Sequence, residues 1–158
     1  MKATEKSVFD RIVSCYKEYL KDNLISIVQF GSRARGDAKE TSDYALFIIA
    51  KELPAKPFRR VLFIRDALRG RFDEKICIIA KTQEEVLNDF PQLYLNLALD
   101  GIILFDRDDF FKELQIKIKE IIQKAGLQRK RDNGEFYWEW QNPPKKGWEI
   151  TWSGYRAF

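Results

Sequence analysis

Apolar residues recur at helical spacing from about Ser7 to Leu20, at Val8, Ile12, Cys15, Tyr16 and Tyr19, with Ser7 read as the N-cap. Lys21-Asp22-Asn23 breaks that pattern. Two runs are then predominantly apolar, Leu24 to Phe30 and Tyr44 to Ala50, and read as strands. Between them lie Gly31-Ser32, a short helical turn from Ser32 to Arg35, and a polar loop from Gly36 to Ser42. Pro54 and Pro57 mark a linker, and Phe58 to Leu68 reads as a helix closed by Gly70. A third strand is expected over Lys75 to Ala80. Thr82, with Glu85 three residues on, forms the capping box of another helix. Pro91 restarts a helix that runs to Leu99. Asp100-Gly101 turns into a strand, Ile102 to Phe105, and Asp109 to Lys124 places Phe110, Leu114, Ile118, Ile121 and Ile122 on one helical face. Alternation of strands with helices predicts α/β or α+β architecture around one sheet.

Beyond Leu127 the pattern changes. All four tryptophans, Trp138, Trp140, Trp148 and Trp152, fall in this tail. Asp132-Asn133-Gly134 is a hairpin-turn signal, and Phe136, Trp138 and Trp140 alternate with polar neighbours as in a half-buried strand. Pro143-Pro144 interrupts, and Trp148 to Trp152 reads as a further strand. The expected organisation is one domain over residues 1–125 and a small β-rich extension over 126–158 packed on it.

Composition narrows the chemistry. There are 28 basic and 24 acidic residues in 158, a balance that suits a phosphate-bearing partner without requiring one. Histidine is absent, which excludes His-based acid–base catalysis and zinc sites with a His ligand. Cys15 and Cys77 are far apart in apolar segments and read as reduced core thiols. The N-terminus lacks a signal-peptide core and no apolar run is long enough to span a bilayer, so a cytoplasmic protein is expected.

The run ISIVQFGSRARGDAKETSDYALFIIA, from Ile25 to Ala50, carries the chemistry. Gly31 after a strand permits a tight turn, and the helix start that follows leaves N–H groups free for an anion. Ser32 adds a hydroxyl donor, and Arg33 and Arg35 add charge. Asp43, opening the next strand, can hold Mg²⁺, which takes one or two carboxylates together with substrate phosphates. A second acid at the next position on the same face would complete a two-metal clamp, but that position is Ala45. Without further context Gly-Ser would be only a turn and Asp43 only a capping residue; the combination with Gly36 and Ser42-Asp43-x-x-Leu46 argues against that.

The segment GSRARGDAKETSDYAL resembles the signature of minimal nucleotidyltransferases of the polymerase-beta-like superfamily, in which Gly-Ser is followed, after ten residues, by Asp-x-Asp opening a strand. Gly31, Ser32 and Asp43 match that signature, Gly36, Ser42 and Leu46 match its surroundings, and the resemblance covers Leu24 to Phe105. It implies a mixed sheet flanked by helices, bound Mg²⁺ and NTP (ATP foremost), and transfer of a nucleoside monophosphate to a hydroxyl with release of pyrophosphate. It further implies that Gly31 and Ser32, with Arg33, Arg35 and Ser42 beside them, hold the nucleotide and that Asp43 coordinates the metal. Ala45 stands where the second catalytic aspartate belongs. The third strand carries no acid in its apolar core. Cys77 or Lys75 falls at that place, and Asp73 or Glu74 at the strand entrance are the nearby substitutes.

A methyl group cannot coordinate a metal, and loss of one such ligand costs about 10²–10⁴ in rate. Three explanations stand side by side: an introduced change, a natural loss of catalysis that leaves a nucleotide-binding protein, or rescue by Asp37, Glu40 or Asp73. The resemblance also implies a second function class, an antitoxin-like partner of a small helical protein. A homo-oligomer and nucleic-acid binding through the basic-aromatic tail are further readings, the last placed behind simple packing. Arg59, Arg60, Arg65, Arg69 and Arg71 read first as a solvated helix face, and Asp106 to Asp109 as acids at a helix start.

Overall fold

The computed structural model describes residues 3–158. Helix α1 (Ala3–Leu20) leads into β1 (Leu24–Phe30), α2 (Ser32–Arg35), β2 (Tyr44–Ala50), α3 (Pro57–Asp66), β3 (Ile76–Thr82), α4 (Gln83–Asn88), α5 (Leu93–Asp100), β4 (Ile102–Asp106) and α6 (Phe110–Ala125). The first four strands form one mixed sheet in the order β3-β2-β1-β4. β1 runs antiparallel to both β2 and β4, and β2 runs parallel to β3. This is the mixed sheet flanked by helices that the resemblance implies.

Strand alternation divides the core between the two faces of the sheet. Ile27, Leu46 and Ile48 point to one face, where α1 and α3 cover them with Phe9, Ile12, Tyr16 and Ile64. Val28, Phe47 and Ile49 point to the other, under Val86, Tyr94, Leu97, Phe111 and Ile118 of α4, α5 and α6. α1 is tied to α3 by two buried or half-buried hydroxyls, Tyr16 Oη donating to the Ile64 carbonyl at 2.8 Å and Tyr19 Oη to that of Phe63 at 2.9 Å. Each such bond contributes about 1 kcal/mol net. Burial pushes the Tyr16 hydroxyl well above its ordinary pKa, with Cys15 and Tyr19 adding to it.

Several boundaries depart from expectation. α1 begins at Ala3, so Ser7 lies inside the helix and caps nothing. Its amphipathic face reaches back to Glu5, which is buried. The Thr82–Glu85 capping box forms, with Glu85 N–H donating to Thr82 Oγ1 at 3.1 Å and Thr82 N–H to Glu85 Oε1 at 2.8 Å. Asp106 is the acid that starts α6: its carboxylate accepts from the N–H groups of Phe111 and Lys112, each at 2.9 Å, and from Ser26 Oγ at 2.6 Å. Asp108 and Asp109 take left-handed φ of 54° and 55° to make that turn. Cys15 is buried, but Cys77 is exposed rather than a core thiol, because β3 is an end strand of the sheet.

The tail forms two hairpins, β5 (Leu127–Asp132) with β6 (Glu135–Trp140) and β7 (Trp148–Thr151) with β8 (Gly154–Ala157). Asn133 and Gly134 both have positive φ, 51° and 85°, as a two-residue turn that follows strand twist requires. Trp138 Nε1 donates to Asn96 of α5 at 3.2 Å. Trp152 Nε1 reaches the carbonyls of Val86 and Asp89 at 2.8 Å, its ring centroid 4.8 Å from that of Phe90. Trp140 and Trp148 meet edge to face at 5.3 Å and join the hairpins. No helix among the described residues is long and apolar enough to cross a membrane.

Candidate active site

β1 ends on Phe30, which pairs with Ala45 of β2; Ala45 in turn pairs with Cys77 of β3. One end of the sheet therefore brings together the Gly31 turn, the Asp43–Ala45 strand entrance and Cys77. Gly31 has φ 79° and ψ −163°, a region that residues with a Cβ rarely occupy, and a Cβ built there would lie 3.4 Å from that of Ala45. Its carbonyl accepts from Ala34 and Arg35 N–H, each at 3.1 Å, which starts α2. The N–H groups of Ser32 and Arg33 precede the first bonds of that helix and lie outside its ladder. Gly36, at φ 88°, closes the turn with its N–H on the Ser32 carbonyl at 2.9 Å.

The two arginines of α2 have different fates. The sequence places Arg33 beside the phosphates, but its side chain is only 5 % exposed and points inward. It pairs with Glu5 of α1 and donates to the carbonyls of Lys39, Glu40 and Ser42 at 2.9–3.3 Å. Its guanidinium also lies 4.0 Å from the Tyr44 ring. It holds the loop between turn and strand and has no fork left for a phosphate. Ser42 likewise works within that loop, its Oγ accepting from Lys39 N–H at 2.9 Å. Arg35 stays half-buried at the surface beside Asp37 (3.3 Å) and Asp100 (3.6 Å).

Those aspartates join α2 to the tail. Arg129 grips Asp100 with two bonds of 2.7 and 2.8 Å, and Arg131 reaches Asp37 at 3.1 Å. The order Arg131–Asp37–Arg35–Asp100–Arg129 alternates in sign, and all three guanidiniums lie within 4.3–4.8 Å of the Phe136 ring centre. Burial works to raise the Asp37 pKa, but Arg35 and Arg131 outweigh it and hold the carboxyl below its ordinary range. Neither Arg129, Arg131 nor Phe136 carries a sequence signal of this role, since the partners are 29 or more residues apart.

On the other flank Asp43 is the one acid at the strand entrance, and Lys75 Nζ stands 3.4 Å from it. Asp73 is exposed ahead of β3. The sequence offers Glu74 as a substitute ligand, yet it lines the α3 side of the sheet, 4.0 Å from Arg11. That is the face away from Ala45. Among the described residues no three of Asp, Glu, Cys and His come together in a way that could hold a metal ion. The donor set therefore does not fit a two-metal clamp. One carboxylate is enough for a single Mg²⁺ that takes its remaining ligands from phosphates and water.

Comparison with known proteins agrees with this geometry. The family described as Polymerase beta, Nucleotidyltransferase matches residues 12–110. A Methanocaldococcus jannaschii protein named "Putative protein adenylyltransferase" is 34 % identical over 122 residues, 75 % of this chain and 83 % of that protein. Among solved structures, a toxin–antitoxin complex with AMP-PNP superposes with a TM-score of 0.55 at 16 % identity, over 73 % of this chain and 86 % of the other. A complex of tri-AMPylated Shewanella oneidensis HEPN toxin with MNT antitoxin gives 0.50 at 14 % identity, over 76 % and 87 %. At such identities the structural likeness speaks for the fold; the matched sequence carries the rest, and the chain belongs to the polymerase beta nucleotidyltransferase family.

Proposed function

We propose that the chain binds ATP at the Gly31–Ser32 turn and transfers its adenylyl group to a hydroxyl, at a rate held down by Ala45. The observation that carries this reading is the register Phe30↔Ala45, which sets the turn's free N–H groups beside the strand that opens on Asp43. Phosphate oxygens would accept from the N–H groups of Ser32 and Arg33 and from Ser32 Oγ, with Arg35 nearby. Mg²⁺ would be held by Asp43 and the nucleotide's own phosphates, and it neutralises phosphate charge. The acceptor oxygen attacks the α-phosphorus and forms the new O–P bond. The bond from that phosphorus to the bridging oxygen breaks, pyrophosphate leaves with the electron pair, and the hydroxyl proton passes to water. Pyrophosphate release with and without magnesium, in this chain and in Ala45→Asp, tests the reading. Release by neither version overturns it.

A second reading is favoured by the state of Asp43. With Ala45 and Cys77 as neighbours and Lys75 at 3.4 Å, the surviving carboxylate faces a lysine rather than further acids. A nucleotide-binding protein without turnover, working as the antitoxin-like partner of a small helical protein, fits that arrangement, and the toxin–antitoxin assemblies among its structural relatives support it. Tight ATP binding with no gain from Ala45→Asp, together with a stable complex with a helical protein encoded beside it, would favour this reading over the first.

A further inference from the structure

We propose that the groove between α3 and the free edge of β3 takes an extended, acidic segment of the acceptor polypeptide. The segment pairs with β3 as an added strand whose end lies at Asp43; this rests on the transferase reading of that site. β3 is an end strand: its partner on one side is β2, in register from Tyr44↔Ile76 to Ala50↔Thr82, and among the described residues no strand lies on the other. Along this seven-residue edge of roughly 23 Å the main-chain groups of Ile76 and Ile78 and the Ala80 N–H face outward, while the Ala80 carbonyl accepts from Arg60 at 3.4 Å and the Thr82 N–H donates to Glu85. Addition of a strand to such an edge gains main-chain bonds without a fixed sequence, while alternate side chains meet the two faces.

Both faces are prepared for that alternation. On the α3 side a groove of about 730 Å³ is lined by Val61, Ile64, Leu68, Ile76 and Ile78. Above it α3 leaves Phe58, Val61 and Leu62 exposed by 73, 48 and 51 %, at the i, i+3, i+4 spacing of one helical stripe. These three large apolar residues are about half or more exposed. On the opposite face β3 presents Cys77, with Lys75 81 % exposed at its start. Apolar residues of an added strand would therefore enter the groove, and the intervening residues would face Lys75.

Charge selects the occupant. The groove is bordered by Arg60, Arg65, Arg69 and Lys75 against Glu74 and Glu85. Arg60 is engaged by Glu85 at 2.7 Å, Arg69 by Asp66 at 2.9 Å and Lys75 by Asp43 at 3.4 Å, whereas Arg65 forms no ion pair among the described residues. An acidic polypeptide complements this excess, and a second copy of the chain would bring the same arginines against it. The lining is mostly aliphatic, which suits side chains better than stacked bases. The groove is also continuous with the site, because Lys75 lines it and touches Asp43. β2 and β3 run parallel and both start at this end, so a hydroxyl side chain near the end of the added strand, on the Asp43 face, stands beside the nucleotide.

Selection from displayed short random peptides against the full chain, followed by amide mapping of the enriched peptides, tests the proposal. Expected are sequences that alternate apolar with acidic residues, protect the outward amides of Ile76, Ile78 and Ala80, and bind about tenfold more weakly to Leu62→Asp and Arg65→Glu. Arg65→Glu should in addition gain affinity for peptides with lysine in place of the acids, a reversal that simple unfolding cannot produce. No enrichment, enrichment of basic peptides, or binding indifferent to both substitutions overturns it. So does single-stranded RNA, or a concentration-dependent dimer, that occupies the same amides and is lost in the same variants. ATP titration in parallel separates the two readings. Binding of ATP without peptide selection sinks the groove alone, and peptide binding at the edge without ATP binding sinks the acceptor assignment.

Discussion

Toward β4, the Gly31 turn is bounded by charges that all have partners: Arg35 between Asp37 and Asp100, Asp100 in the fork of Arg129, and Arg131 on Asp37, with Phe136 at their centre. Toward β3 it is bounded by an end strand, an exposed thiol, an exposed apolar stripe on α3, and one aspartate facing one lysine. The first flank fixes the geometry of α2; the second leaves room. A transferase needs both, since phosphates call for preorganised donors and an acceptor must come and go.

Four measurements would break or sharpen that contrast. The largest expected effect is chemical: on the transferase reading, Ala45→Asp should raise magnesium-dependent pyrophosphate release by about 10²–10⁴, because it adds a ligand on the open flank. The added carboxylate must share the space where the Ala45 Cβ now faces Gly31, so Gly31→Ala in the same background should abolish the gain. Next is the buried pair behind the turn. Arg33 and Glu5 side chains are 5 and 12 % exposed, and Glu5→Gln or Arg33→Met leaves one partner without the other at a cost of about 3–5 kcal/mol, read by denaturant unfolding.

A direct comparison of the flanks follows from Asp100→Ala and Leu62→Asp. Asp100 is 7 % exposed, and its loss leaves Arg129 without its ion pair and Arg35 with Asp37 alone, which should lower stability by about 2–4 kcal/mol. Leu62 is 51 % exposed, and its replacement should stay within about 0.5 kcal/mol in the free chain. Equal losses in the two variants would contradict the division of the site into a fixed and an open side.

The smallest effect is a pH dependence. Arginine neighbours hold Asp37 below the ordinary carboxyl range, against the opposing effect of burial, and the Arg60 hydrogen bond does the same for Glu85. Both contribute stability above the unfolded carboxyl pKa of about 4 and lose it as pH falls through their lowered folded values. Thermal midpoints should decline on acidification below that range, and less so in Asp37→Asn.

The strands around the site were legible because their signals are local. Leu24–Phe30 and Tyr44–Ala50 are apolar but for Ser26 and Gln29, and Gly31 and Gly36 mark the turn between them. The fate of Arg33 was not legible, since Glu5 lies 28 residues away and nothing in SRAR separates an inward arginine from an outward one. Cys77 misled for a topological reason: Ile-Cys-Ile-Ile-Ala has the composition of an interior strand, and only strand order places it at the edge. The tail hairpin was visible in Asn133-Gly134, but its reach to Asp37 depends on how two elements 94 residues apart pack together.

Because every tryptophan lies between 138 and 152, and Trp152 is hydrogen-bonded to Val86 and Asp89, the chain carries its own fluorophores in one place. Emission reports the seating of the last thirty or so residues, while far-ultraviolet dichroism is dominated by the helices before them. Superimposable melting curves from the two signals would make tail and body a single cooperative unit. An earlier transition in fluorescence would reveal a detachable clasp, able to release the turn it holds.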